Sequence, residues 1–230
     1  NSNNLVAING KGISAYHYAL DSGYRPNFQT AISYFDQALQ IDSNNLVAIK
    51  GKALSLLGIG NFDEAIVYLD KVLQLDPNNL GALLGKGYAY SSSGNNIAAI
   101  TAYDNVLQLD PYNPRALIDK ALNLYSLERF NEAIQLFEIV LSQNPNNAEA
   151  LAGKGSALIA SDKKDEASNY LDRALQIDPN NVIALIGKGN TLQGTDRNYE
   201  AITYFERALQ IDPDNIKGLL GIALAQYSQG

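Results

Sequence analysis

The 230-residue chain has no cysteine, no methionine, no tryptophan and a single histidine. Without cysteine there can be no disulfide, thiolate nucleophile or thiolate metal site, and one histidine alone cannot assemble a familiar zinc set. Charge is sparse and of the wrong sign for polyanions: 17 Lys and Arg stand against 24 Asp and Glu, a formal balance of −7. The basic footprint that nucleic acid or an anionic membrane surface requires is missing, so neither is expected as a partner. No apolar run is long enough to span a bilayer, and the opening NSNNLVAING lacks the basic start and apolar stretch of a secretion signal. Methionine is absent even from position 1, which leads us to expect a piece of a longer chain and leaves its compartment open.

What is present is repetition. Blocks beginning at an asparagine pair run NNLVAIKGKALSLLGIGNFDEAIVYLDKVLQLDP over 44–77 and NNLGALLGKGYAYSSSGNNIAAITAYDNVLQLDP over 78–111, and equal blocks follow at 112–145, 146–179 and 180–213. All five have 34 residues and no gap separates them. Residues 3–43 form a further block with seven extra residues, and 214–230 form half of one. Each block reads as two helices. In 78–111, Leu83, Gly87 and Tyr90 share a helical face, SSSGN interrupts, and Ala99, Tyr103, Val106 and Leu107 resume the period. Asparagine ahead of the first helix can cap its free N–H groups, and Asp-Pro after the second stops it, because a residue before proline avoids the α region.

Four positions recur in register. A small residue sits in the first helix: Gly12, Ala53, Gly87, Ala121, Gly155, Gly189 and Ala223. An alanine opens the second: Ala31, Ala65, Ala99, Ala133, Ala167 and Ala201. A large residue follows it at Phe35, Leu69, Tyr103, Phe137, Leu171 and Phe205, and prolines close the blocks at Pro77, Pro111, Pro145, Pro179 and Pro213. This set resembles the tetratricopeptide repeat family over nearly the whole chain. It departs from the family in having aliphatic residues (Ile8, Ile49, Leu83, Leu117, Leu151, Leu185, Leu219) for an early tryptophan, lysine before the small residue in six blocks, and Ser43 where a proline is due.

The resemblance implies an all-α, right-handed α-solenoid of helix-turn-helix repeats, a single domain over 1–230 ending in a lone helix at 214–230. It also implies a non-enzymatic scaffold that holds a peptide or protein segment in a concave groove lined by the first helices. Carrying the family's inner-face positions across gives Asn9, Ile13 and Tyr16; Lys50, Leu54 and Leu57; Leu84, Tyr88 and Ser91; Ile118, Leu122 and Tyr125; Ala152, Ser156 and Ile159; and Ile186, Asn190 and Gln193. Some relatives clamp a C-terminal carboxylate with lysine and asparagine, but Leu54 follows Lys50 where asparagine would be needed. The expected ligand is therefore an apolar or amphipathic segment.

The sequence GKG, at Gly10–Gly12, Gly85–Gly87, Gly153–Gly155 and Gly187–Gly189, suggests phosphate binding at first sight. A P-loop needs Ser or Thr after the lysine and a strand before it. Here glycine or alanine follows, and the cluster falls mid-helix. Lys11, Lys52, Lys86, Lys120, Lys154 and Lys188 run parallel to an acidic row, Asp36, Asp70, Asp104, Glu138, Asp172 and Glu206, and the two are expected to neutralise each other. Close helix packing explains the small residues, with Gly or Ala facing Ala. His17 has no nucleophile tied to it by motif, Asp63-Glu64 and Asp165-Glu166 suit helix starts, and Tyr34, Tyr68, Tyr170 and Tyr204 belong to packing. No catalytic residue, cofactor or metal site is expected. The extra residues around Ala19–Asn27 predict a longer loop. Helix 214–230 is too apolar for a finished cap, so self-association through it is the alternative function. A third possibility is an accessory module of an enzyme outside this stretch.

Overall fold

The computed structural model describes residues 2–23 and 25–228; Asn1, Tyr24 of the expected insertion and residues 229–230 of the terminal helix lie outside them. Among the described residues the chain is all-α, thirteen helices arranged as hairpin repeats. It divides into two compact units, Asn1–Pro111 and Tyr112–Gly230. The first contains α1 (Ser2–Ser22), α2 (Arg25–Ile41), α3 (Leu46–Ile59), α4 (Phe62–Leu75), α5 (Leu80–Ser92) and α6 (Asn96–Leu109). The second contains α7 (Pro114–Ser126), α8 (Phe130–Gln143), α9 (Ala148–Ala160), α10 (Lys164–Ile177), α11 (Val182–Leu192), α12 (Asn198–Ile211) and α13 (Ile216–Tyr227).

The same local chemistry punctuates both units. An asparagine starts each of six first helices: Asn45, Asn79, Asn113, Asn147, Asn181 and Asn215 accept from the backbone N–H three residues on, at 2.9–3.1 Å. Second helices end where proline forces the preceding residue out of the α region. Asp76, Asp110, Asn144, Asp178 and Asp212 all take φ between −143° and −128° with ψ of 85–93°. The turn inside a hairpin needs one left-handed residue, supplied by Gly60 (φ 82°) and Gly94 (φ 79°), but by Glu128 (φ 60°) and Asp162 (φ 61°) in the next two repeats. The following amide bonds back to the carbonyl five residues earlier, as in Asn61 to Leu56 and Arg129 to Leu124.

The extra residues of the first repeat do not form a long loop. Relative to α3 and α4, which have 14 residues each, α1 runs to 21 and α2 to 17, leaving only positions 23 and 24 between them. Aligned on the repeat, four of the added residues (19–22) prolong α1 and three (25–27) prolong α2, about one turn each. Gly23 at φ 63° then makes the same left-handed turn further out. Pro26 is tolerated because the first helical turn has no intrahelical N–H partner to lose.

Packing follows one rule in both units. Within each unit, a second helix lies against its own first helix and the next one, as α2 does against α1 and α3, or α10 against α9 and α11. Its large side chain is therefore wedged between two first helices. A Cβ at Gly12 would stand 2.7 Å from the Phe35 ring, and one at Gly51 would run into the same ring from the other side. Leu171 sits in this way between Gly155 and Gly187, each 2.7 Å from it on the same measure, and Phe205 between Gly189 and Gly221. The small residues thus accommodate the large residue four positions beyond the alanine, and not mainly the alanine itself. Phe35, Phe137, Leu171 and Phe205 are at most 1% exposed, and the six alanines are fully buried.

Two predictions follow from this geometry. Gly51→Ala should destabilise by about 1–3 kcal/mol through overpacking on Phe35, even though alanine is the better helix former. Gly10→Ala, where a Cβ meets nothing within 4 Å, should stabilise by roughly 0.5–1 kcal/mol; urea titrations of both variants check the opposite signs. Relieving the left-handed strain with Glu128→Gly or Asp162→Gly should raise stability by up to about 1 kcal/mol, read by the same titration, whereas Gly60→Ala should lower it.

Candidate functional site

The repeated lysines are bound into the frame. Lys52 donates to Asp36 of the preceding repeat at 2.7 Å, approaches Glu64 at 3.4 Å and lies over the Tyr68 ring at 4.5 Å. Lys154 donates to Glu138 at 2.9 Å and to the Tyr170 hydroxyl at 2.8 Å, Lys86 pairs with Asp70 at 2.6 Å, and Lys188 pairs with Asp172 at 2.7 Å while bonding Ser168. The acidic and basic rows therefore meet between successive repeats, with second-helix tyrosines beneath. At Lys52, Lys86, Lys154 and Lys188 the ammonium groups are directed at side chains of the second helices. Burial works against the charge of Lys52 and Lys154, but hydrogen bonds to carboxylate and tyrosine more than offset it. Both titrate above the ordinary lysine range.

Groups with raised pKa stabilise the fold fully below the unfolded value, 10.5 here, and lose that contribution as pH climbs toward the folded value. Lys52→Met/Lys154→Met should therefore be less stable than wild type at pH 8 by about 1–2 kcal/mol. The gap should narrow between pH 10.5 and 12, as followed by chemical denaturation across that range.

In the second unit the first helices frame a groove of about 570 Å³ lined by Tyr125 of α7, Ser156 and Ile159 of α9, Val182, Ile183, Ile186 and Asn190 of α11, Asp212, Asp214 and Asn215 ahead of α13, and Ile216 and Lys217 in its first turn. The floor is aliphatic and the rim polar. Lys217 reaches from α13 to the Tyr125 ring of α7, 5.5 Å from its centroid, so the groove is bridged by one of the chain's own cations. Burial raises the Tyr125 hydroxyl above its usual range, and Phe130 tilts against its ring at 5.4 Å.

The inner-face positions read from sequence divide accordingly. Tyr125, Ser156, Ile159, Ile186 and Asn190 come together in this groove. Ile118 is 3% exposed and Ala152 fully buried, so both support the surface from beneath; Leu122 is half-buried beside them. In the first unit Ile13, Leu54 and Tyr88 are about two-fifths exposed, with Tyr88 edge-on to Phe62 at 6.1 Å. Tyr16 stands edge-on to Phe28, and Lys50 and Leu84 are half-buried. Asn9 is buried and its side-chain N–H donates to the capping Asn45 at 3.0 Å. His17 lies exposed against Tyr16. Sequence reasoning missed Val182, Ile183 and the Asp212–Lys217 edge, which belong to first turns and inter-repeat loops and not to helix middles.

Among the described residues no group of three metal-ligating side chains converges, and no helix is long and apolar enough to cross a membrane. Stacked helical hairpins with structural polar rows and an open apolar groove define a helical-repeat interaction scaffold. Tetratricopeptide repeat patterns match residues 51–114, 124–189 and 183–215, and the chain belongs to the tetratricopeptide repeat family. No curated protein sequence matches it. Among solved structures, a tetratricopeptide repeat protein from Parabacteroides merdae superposes with a TM-score of 0.77 at 16% identity, covering 98% of this chain and 86% of its own. MamA gives 0.63 at 24% identity, covering 75% of this chain and 92% of its own. YrrB, described as having an unusual peptide-binding site, gives 0.59 at 22%, covering 83% and 98%. At these identities the likeness is one of fold.

Proposed function

We propose that the chain is a non-enzymatic scaffold that binds a peptide or protein segment along the inner face of its first helices, with the groove of the second unit as the main seat. The groove itself carries the reading: an aliphatic floor of Ile159, Ile183 and Ile186 under a polar rim, on repeats whose Lys154 and Lys188 are already paired with Glu138 and Asp172. A preformed surface spends little of the binding energy on ordering itself. The peptide-binding site named for YrrB supports the same use of the fold. Ile13, Tyr16, Leu54, Leu84 and Tyr88 form a second, lesser strip in the first unit.

Selection of a random twelve-residue peptide library on the immobilised 230-residue chain tests this. Sequences enriched on the wild type should lose at least tenfold in affinity on Ile183→Glu, which places a charge on the groove floor and leaves the wedged core untouched. Equal binding by both proteins would move the site elsewhere.

A second reading rests on α13, where Ile216, Leu219, Leu220 and Leu224 are all about half-exposed or more. Such a patch suits a second copy of the chain. Light scattering over 5–500 µM should then show a rise in mass that Leu219→Glu/Leu224→Glu removes; a constant monomer mass in the wild type refutes it.

A further inference from the structure

Resting on that groove reading, we infer that the second unit selects segments that combine aliphatic side chains with an arginine or lysine, and that Tyr125 is the seat for that cation. Lys217 already occupies it. Its ammonium stands 5.5 Å from the ring centroid after crossing the groove from α13, a distance at which the negative face of the ring attracts a cation. The chain's own lysine thus displays the chemistry a ligand would use. Around that seat the rim is acidic: Asp212 and Asp214 line the same groove, and Lys217 is the only cation among its lining residues. Glu149 and Asp178 continue the edge in a neighbouring depression that shares Val182 and Ile183 with it.

Asp212 accepts from the Asn215 side-chain amide at 2.9 Å, and neither it nor Asp214 belongs to the ion pairs that hold these repeats together, which use Glu138 with Lys154 and Asp172 with Lys188. An incoming basic side chain would take the Tyr125 face and meet Asp212 and Asp214, while its aliphatic neighbours lie on Ile159, Ile183 and Ile186. Lys217 then acts as a tethered competitor: its removal should help a basic ligand and harm an acidic one, so the two charge preferences give opposite signs in one variant.

The experiment uses the full 230-residue chain and two fluorescein-labelled twelve-residue peptides with the same leucine and isoleucine content, one bearing four arginines and the other four glutamates, measured by anisotropy at 50 and 300 mM NaCl. The basic peptide should bind at least fivefold tighter than the acidic one. Lys217→Ala should tighten it by a further factor of about 2–5, the worth of one exposed cation–π contact. Tyr125→Ala and Asp212→Asn/Asp214→Asn should each weaken it, and Asp165→Asn/Glu166→Gln, on α10 outside the groove, should leave it unchanged and so exclude attraction by net charge alone. Equal or tighter binding of the acidic peptide, or weaker basic binding by Lys217→Ala, overturns the cation seat while leaving the groove in use. Binding of neither peptide sinks the groove reading as well.

Discussion

Everything in this architecture depends on one side chain per repeat being held between two helices that approach within reach of its ring or branched end. Phe35, Phe137, Leu171 and Phe205 each lose essentially all contact with water by this route, and burial of that order is worth roughly 1.5–3 kcal/mol per residue. The wedge couples a repeat to its successor, because its two walls come from different hairpins. Stability in such a stack is a sum of nearest-neighbour terms, and the large residue supplies the apolar share of each term. The lysine beside the glycines supplies the polar share: it too joins successive repeats, reaching back sixteen residues to the acid that directly follows the wedge. Large residue and acid therefore travel as a pair, Phe35-Asp36 or Leu171-Asp172, because one enters the notch and the other meets the lysine at its lip.

This explains what was legible in the sequence and what was not. Helix starts, stops and hairpin pairing rest on local rules, so the capping asparagines and Asp-Pro breaks located them without reference to tertiary structure. The meaning of GKG was only half legible. Periodicity said that the glycines were structural, but two glycines two residues apart face different helices, and only the packed arrangement shows that each wall of a wedge needs its own. The first repeat misled for a similar reason. Gly and Pro near seven extra residues signal a loop, yet seven is close to two helical turns, and sharing them between α1 and α2 preserves the left-handed turn while adding backbone hydrogen bonds.

The groove was the least legible part. The family resemblance put Tyr125, Ile186 and Asn190 on the inner face, but Ile118 and Asn9, at equally inner positions, are buried. Register fixes the direction in which a side chain leaves its helix; how far neighbouring helices cover it depends on their spacing and on the loops between them. The Asp212–Lys217 edge could not be seen from helix periodicity, because it lies where the chain turns between repeats.

Variation among the repeats separates the two roles. The notch and its lip are nearly constant along the chain: glycine at 51, 85, 153, 187 and 221, with Asp119 the exception, and lysine at 52, 86, 120, 154 and 188. Asp119 pairs there with Arg115 one turn earlier, at 2.6 Å. On the inner face the corresponding positions read Lys50, Leu84, Ile118, Ala152 and Ile186, and then Leu54, Tyr88, Leu122, Ser156 and Asn190. Packing between hairpins poses the same steric problem every 34 residues and receives the same answer, whereas a ligand lying across the repeats meets each of them once. A surface that serves only the fold would share the period of the fold. The inner face does not: Lys50, Ser156 and Asn190 interrupt positions that are otherwise aliphatic or aromatic.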